Sequence, residues 1–272
     1  MPDLLHLPDV TLSFDVAGEG EPVVLLNGCG APALAYQLEL APGLVAAGYR
    51  VVTYDHRGMP PSSAPPAPYS VADLVDDLRG LLDHLGIERV RLAGHSMGGW
   101  VAEMLAVREP ERIRAAAFMG SCNPCTEWER LSAQGQCEMS RLGEALPSVY
   151  DTMEVLRYLP NSEIQDDEVV ATWAALLEGS HHWANPGRLG QWEACRSWTN
   201  DPDRTAHWPA LEIPCLVMAF EHDIDSPPSR AREAAGRIPG ARFVEVPGAS
   251  HLGPITHGTT VLAHLVAFFA QT

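Results

Sequence analysis

Arg89-Val90-Arg91-Leu92-Ala93-Gly94-His95-Ser96-Met97-Gly98-Gly99-Trp100 is the stretch that decides how this chain reads. Residues 89–93 are strand-like, and residues 100–107 carry the pattern of an amphipathic helix. Between them lies Gly-x-Ser-x-Gly, with Ser96 at its centre. On a strand-to-helix turn this pattern is a nucleophile elbow. The bend is so tight that its serine is forced into a strained backbone conformation, with the hydroxyl raised above the end of the sheet. Glycine at 94 and 98 removes β-carbons that would collide where strand and helix cross. The Met97 N–H, at the helix N-terminus, then faces the place where an oxyanion would form. An ordinary glycine-rich turn around a buried serine is the bland alternative, and the strand and helix on either side weigh against it.

Outward from the elbow, strand and helix signals alternate. Strand-like runs stand at 10–16, 22–26, 50–54, 114–119, 214–220 and 241–246, several of them apolar without a break. Such runs suit strands buried on both faces of a parallel sheet. Ser70 is placed to cap a helix over 71–85, with Asp73 three residues on and Gly86 just past its end. Thr256 or His257 opens a last helix ending at Phe269. The fold class is α/β, with a mainly parallel sheet flanked by helices. Between Cys122 and Trp208 the rhythm stops: helical patterns at 127–143, 168–178 and 189–198 follow one another, separated by prolines, with no buried strand. The expected division is a core over 1–121, a helical cap over 122–208 and the rest of the core over 209–272. Six of the seven tryptophans fall in the cap. Most are expected to build the cap's own core, with Trp183 and Trp192 expected to line an apolar pocket over the serine.

A serine nucleophile needs a base, and the base an orienting acid, which in elbow enzymes follow in the order Ser, Asp or Glu, His. After the strand at 214–220 comes Glu221-His222-Asp223-Ile224-Asp225. Asp223 is the expected acid, with Asp225 and Glu221 as competitors. After the last strand comes Pro247-Gly248-Ala249-Ser250-His251, and His251 is the expected base, titrating in the ordinary histidine range of about pH 6 to 7. His95 and His257 read as structural or capping residues. The early strand at 22–26 feeds Asn27-Gly28-Cys29-Gly30, where Gly28 and Gly30 let the backbone approach a substrate. The expected oxyanion donors are the backbone N–H groups of Cys29 and Met97.

These segments together resemble the α/β-hydrolase fold superfamily, and within it the bacterial branch of cofactor-free bromoperoxidase-like hydrolases. The likeness is carried by residues 22–30, Tyr54-Asp55-His56-Arg57-Gly58, residues 94–99, 216–228 and 246–253. It implies a Ser–Asp–His triad at Ser96, Asp223 and His251, and a need for neither metal nor organic cofactor. Two positions depart from the branch's usual pattern: Asn27 stands where a histidine is usual, and Met59-Pro60-Pro61-Ser62 follows the Arg-Gly.

Composition narrows the class further. A net charge of −17 disfavours nucleic acid and anionic membranes as partners. No apolar run approaches the roughly 18 residues of a membrane span, and the first residues do not read as a signal peptide, so the expected location is the cytoplasm. All 18 basic residues are arginine, which excludes a lysine nucleophile, a pyridoxal-phosphate Schiff base and a P-loop lysine. The six cysteines are expected to be reduced, and Cys122-Asn123-Pro124-Cys125 lacks the second pair of ligands that a zinc site needs. The expected function is cleavage of an ester, lactone or thioester bond in a small, largely apolar metabolite. The rival readings are a carbon–carbon hydrolase or lyase of secondary metabolism and a non-catalytic ligand-binding protein on the same fold. Whether the chain self-associates is left open.

Overall fold

The computed structural model describes residues 2–142, 148–177 and 185–272. Its eight strands form one sheet: β1 (Asp3–His6), β2 (Thr11–Ala17), β3 (Glu21–Leu26), β4 (Tyr49–Tyr54), β5 (Val90–His95), β6 (Ile113–Met119), β7 (Cys215–Phe220) and β8 (Arg242–Val246). The order across the sheet is β1-β2-β4-β3-β5-β6-β7-β8, parallel from β4 to β8 and antiparallel at β1 and β2. This is the α/β-hydrolase fold. β5 and β7 are buried along their whole length, which explains their unbroken apolar runs.

The helices are α1 (Leu40–Ala46), α2 (Val71–His84), α3 (Met97–Arg108), α4 (Glu127–Arg141), α5 (Ser148–Leu156), α6 (Asn161–Ile164), α7 (Asp167–Leu177), α8 (Gly187–Asn200), α9 (Pro228–Arg237), α10 (Gly253–Thr256) and α11 (Gly258–Phe269). On one face of the sheet Leu74, Leu78, Val101, Leu105 and Ala231 build the larger core. On the other, Leu44, Val261, Leu265 and Phe268 of α1 and α11 build the smaller. Ser70 and Asp73 close a capping box at the start of α2, each side chain accepting from the other's backbone N–H. Between α2 and the loop after β4, Arg57 and the buried Asp77 form a two-pronged ion pair at 2.6 Å.

Three elements escape the sequence pattern. β1 is an exposed four-residue edge strand, too short to show alternation. α1 carries Pro42 and Gly43 in its first turn, where the missing N–H costs nothing because no intrahelical acceptor waits for it. α3 is not amphipathic: it is buried almost all round, down to Glu103. Glu103 accepts from Trp208 Nε1 at 2.9 Å and lies 2.6 Å from His207 Nε2, so the chain returning from the inserted helices covers the side of α3 that would otherwise face water.

The interval between β6 and β7 holds α4 to α8 and no strand among the described residues. α4 and α8 pack tightly together, and Thr126 and Glu129 form a second capping box at the start of α4. Among the described residues the tryptophans do not form a separate core for the inserted helices. Trp198 and Trp208 join the larger core, Trp198 stacking on Trp100 with ring centroids 6.1 Å apart, while Trp128 is largely exposed.

The crossing of β5 and α3 sets the tightest steric limit. A β-carbon on Gly94 would overlap the Gly98 carbonyl, and one on Gly98 would lie 2.5 Å from the carbonyl oxygens of Leu26 and Asn27. Gly94→Ala should therefore lower stability by about 1–3 kcal/mol, as overpacking against backbone does. In the interior of α4, Gly135 has open space around it, so Gly135→Ala should raise stability by about 0.5–1 kcal/mol. Denaturant melts of the two variants check this, and an unchanged midpoint for Gly94→Ala would contradict the crossing.

Candidate active site

Ser96 has φ 52°, and it is the sole non-glycine residue with a positive φ among the described residues. The conformation follows from the crossing, because β5 must turn into α3 within one residue. Its N–H donates to the Met119 carbonyl at 3.0 Å, tying the turn to the end of β6. The hydroxyl is left half-buried above the carboxyl ends of the strands.

Asp223 and His251 come to it from neighbouring loops. His251 Nε2 lies 3.0 Å from Ser96 Oγ, and His251 Nδ1 lies 2.8 Å from Asp223 Oδ2. The second carboxylate oxygen of Asp223 accepts the N–H groups of Asp225 and Ser226 at 2.8 and 2.9 Å, so the acid is held on both sides. Gly120, with φ 54°, passes so close that a β-carbon there would stand 2.9 Å from Asp223 Oδ2. His95 Nε2 donates to the His251 carbonyl at 2.8 Å. Burial lowers the His95 pKa to about 3, so it stays neutral and serves as a fixed donor to the His251 backbone.

Electrostatics move His251 away from the ordinary histidine range. Burial opposes its charged form, but Asp223, joined by Asp225 and Glu129, outweighs burial and pushes the pKa up to about 9. The expectation of pH 6 to 7 ignored these carboxylates. Asp225, the competing acid, does not touch the imidazole. It accepts from Trp128 Nε1 at 2.6 Å instead, linking the acid loop to α4. Glu221 caps the loop after β8, accepting from the Gly248 N–H at 2.7 Å. His257 stands just before α11, with Nδ1 2.9 Å from Thr256 Oγ1.

The loop after β3 lies against the elbow. A β-carbon on Gly28 would be 3.1 Å from Ser96 Cβ, so glycine is what permits the approach. The N–H groups of Cys29 and Met97 have no acceptor among the described residues. The Gly30 N–H does have one, Gln191 Oε1 at 2.9 Å. Asn27 is fully buried behind this loop, its carbonyl accepting from His56 Nε2 at 3.2 Å. Burial pushes the Cys29 thiol well above its ordinary pKa, with Cys195 beside it. Cys122 is buried and Cys125 half-buried, and burial raises both thiols too.

From the inserted helices, Tyr158 brings its ring to 5.0 Å from that of His251, tilted by 36°. Arg157 donates to the Tyr158 hydroxyl at 2.6 Å and lies over the rings of Tyr158 and Trp128. Tyr158, Gln191 and the Trp128–Asp225 bond were all missed in the sequence. No motif marks them, and only Pro160 near Tyr158 hinted that the chain turns there. Trp192 is half-buried on α8 and packs on the larger core. Trp183 and the adjacent His181-His182 lie outside the described residues.

The family model described as the alpha/beta hydrolase fold matches residues 21–136, and one described as TAP-like protein matches residues 182–272. A protein of Mycobacterium tuberculosis, BpoC, provisionally named a non-heme bromoperoxidase, is 29% identical over 263 residues, covering 96% of this chain and 98% of its own. Its crystal structure superposes with a TM-score of 0.87 over 96% of each chain. The enol-lactonase of Burkholderia xenovorans LB400 is 26% identical, with a TM-score of 0.79 over 98% of this chain and 100% of its own. A protein of Azorhizobium caulinodans, RutD, provisionally named a carbamate hydrolase, is 26% identical over 90% of each chain.

The sign of the His251 shift is testable by itself. The ring should remain charged at neutral pH and lose its proton on the way up through about 9. An NMR titration of the ring protons reads this directly. Asp223→Asn should bring the midpoint down sharply, and Asp225→Asn should bring it down less, because Asp225 acts from farther away. A wild-type midpoint at or below 6.5 would refute the balance of charge over burial.

Proposed function

We propose, from the chain's membership of the α/β-hydrolase fold superfamily, that it is a serine hydrolase cleaving an ester-like bond (ester, lactone or thioester) of a small, largely apolar molecule. The observation that carries the reading is the unbroken chain from Ser96 Oγ through His251 to Asp223, at 3.0 and 2.8 Å, on a turn whose strain aims the serine. A serine placed only for packing needs neither a positive φ nor an aligned imidazole. Similarity to a solved enol-lactonase supports counting lactones among the bonds attacked.

In the reaction, neutral His251 takes the Ser96 proton as Oγ attacks the substrate carbonyl. Asp223 keeps the proton on Nδ1 and stabilises the imidazolium that forms. The N–H groups of Cys29 and Met97 hold the tetrahedral oxyanion, and their lack of an acceptor among the described residues suits them to it. His251 then protonates the leaving group, and water repeats the cycle on the acyl-enzyme. Each step uses groups of the chain itself, with no cofactor. The imidazolium must lose its proton before it can act, so kcat/KM should climb with pH until the His251 pKa is passed. The half-buried apolar side chains of the insertion, Trp192 among them, cover the acyl group and set its size.

Two measurements test this. A fluorophosphonate probe should label Ser96 stoichiometrically. Ser96→Ala should fold normally yet lose about 10⁴ to 10⁶ in kcat on p-nitrophenyl esters; wild-type turnover in that variant would end the nucleophile assignment. Across esters of increasing acyl length, Trp192→Ala should raise KM more for long chains than for acetate, since burial contributes about 25 cal/mol per Å² of apolar area. An equal fall in kcat for every ester, at constant KM, would instead put Trp192 in the catalytic machinery.

A further inference from the structure

Helix α8 meets the core through glycine. A β-carbon on Gly187 would overlap the backbone of Gly58, and one on Gly190 would run into the Tyr69 ring. At Gly187 helix and loop therefore touch backbone to backbone. One turn beyond Gly187, Gln191 enters this seam at 1% exposure. Its Oε1 accepts from the Gly30 N–H at 2.9 Å, and its Nε2 donates to the Arg57 carbonyl at 2.9 Å. One buried amide thus bridges the backbones of two core loops, those after β3 and β4. Space-filling alone would be met by leucine or methionine. The two directed bonds need an amide, because they ask for one acceptor and one donor on the same short side chain.

The Gly30 N–H belongs to the central peptide of a four-residue turn, closed by the Ala31 N–H on the Gly28 carbonyl at 3.2 Å. Gly30 has φ 72°, the form of turn that favours glycine at its third position. The Gln191 acceptor fixes this peptide, one of the two that flank the Cys29 α-carbon, and so limits how far the other, which carries the Cys29 N–H, can swing. At its start the turn is seated on the elbow through Gly28, against Ser96 Cβ. Cys29 lies between these two anchors.

We propose that Gln191 is a positioning residue for the oxyanion hole: a side chain of the inserted helices that aligns the Cys29 N–H by tethering Gly30 to Arg57. The inference rests on the serine-hydrolase reading above. It gives the insertion a part in transition-state stabilisation as well as in substrate choice. Loss of the tether loosens one of two donors, so the cost falls on kcat and spares ground-state binding.

The test compares wild type with Gln191→Met, which keeps length and loses both bonds, and with Gln191→Glu, which keeps shape and the acceptor for Gly30. Each is assayed for kcat, KM and inhibition by an aryl trifluoromethyl ketone, whose adduct on the serine places an oxyanion in the hole. Gln191→Met should lose about 10- to 100-fold in kcat with KM within twofold. Its inhibition constant should rise by the same factor as kcat/KM falls. Gln191→Glu should retain more activity than Gln191→Met, and it keeps the test alive if the methionine variant fails to fold. Wild-type kcat and inhibition in both variants, or a loss confined to KM, would overturn the assignment. If the wild type takes up no fluorophosphonate at Ser96, the hydrolase reading itself falls, an outcome independent of either variant.

Discussion

Everything in this site depends on how closely β5 and α3 cross. Gly94 and Gly98 let the strand turn into a helix within one residue, and the turn leaves Ser96 at φ 52°. The same crossing admits a third body. Gly98 lies against the carbonyls of Leu26 and Asn27, so the end of β3 is pressed onto the start of α3 and the loop beyond it is carried to the serine. One steric constraint thus places the hydroxyl, the helix N-terminus and the loop of Gly28 to Gly30 together. The strain, of order 1–3 kcal/mol for such a backbone, is sustained by the burial of β5 and of nearly all of α3.

Charge is arranged on the same principle of surrounding one group from several elements. His251 is fixed from below by His95, at its edge by Asp223 and on its face by Tyr158. The carboxylates of Asp225 and Glu129, the latter from the inserted helices, add to the field that favours its cation. The chain's large negative charge matters little here beside these few buried groups, since distant surface charges are screened.

Much of the fold was legible because its signals are local. The elbow, the capping box at Ser70 and the apolar runs of β3, β5 and β7 each follow from a few adjacent residues. So did the order Ser96, Asp223, His251, whose side chains the structure brings into one hydrogen-bonded line. What stayed hidden depends on contacts between distant segments. α3 seemed amphipathic because nothing near it announces that Trp208 and His207 will return to cover Glu103. Asp225 looked like a rival acid until Trp128, ninety-seven residues away in sequence, was found bonded to it. Tyr158 and Gln191 carry no motif, and their contacts with His251 and with Gly30 and Arg57 form only once the inserted helices have docked. The His251 shift was missed for the same reason, since two of its three carboxylates act through space.

The absence of lysine gains a meaning once the base is placed. An imidazole held near 9 is neutral only in mildly alkaline solution, where lysine ammonium groups, with pKa values of about 10.4, begin to lose charge. Guanidinium does not, its pKa lying above about 12. The Arg57–Asp77 pair, whose guanidinium Asp77 holds above its ordinary pKa, therefore keeps its positive charge across the range in which His251 is released. The ion pair that braces the loop after β4 is indifferent to the proton that the His251 ring gives up. Alkalinity can neutralise the His251 ring without loosening the frame that holds it.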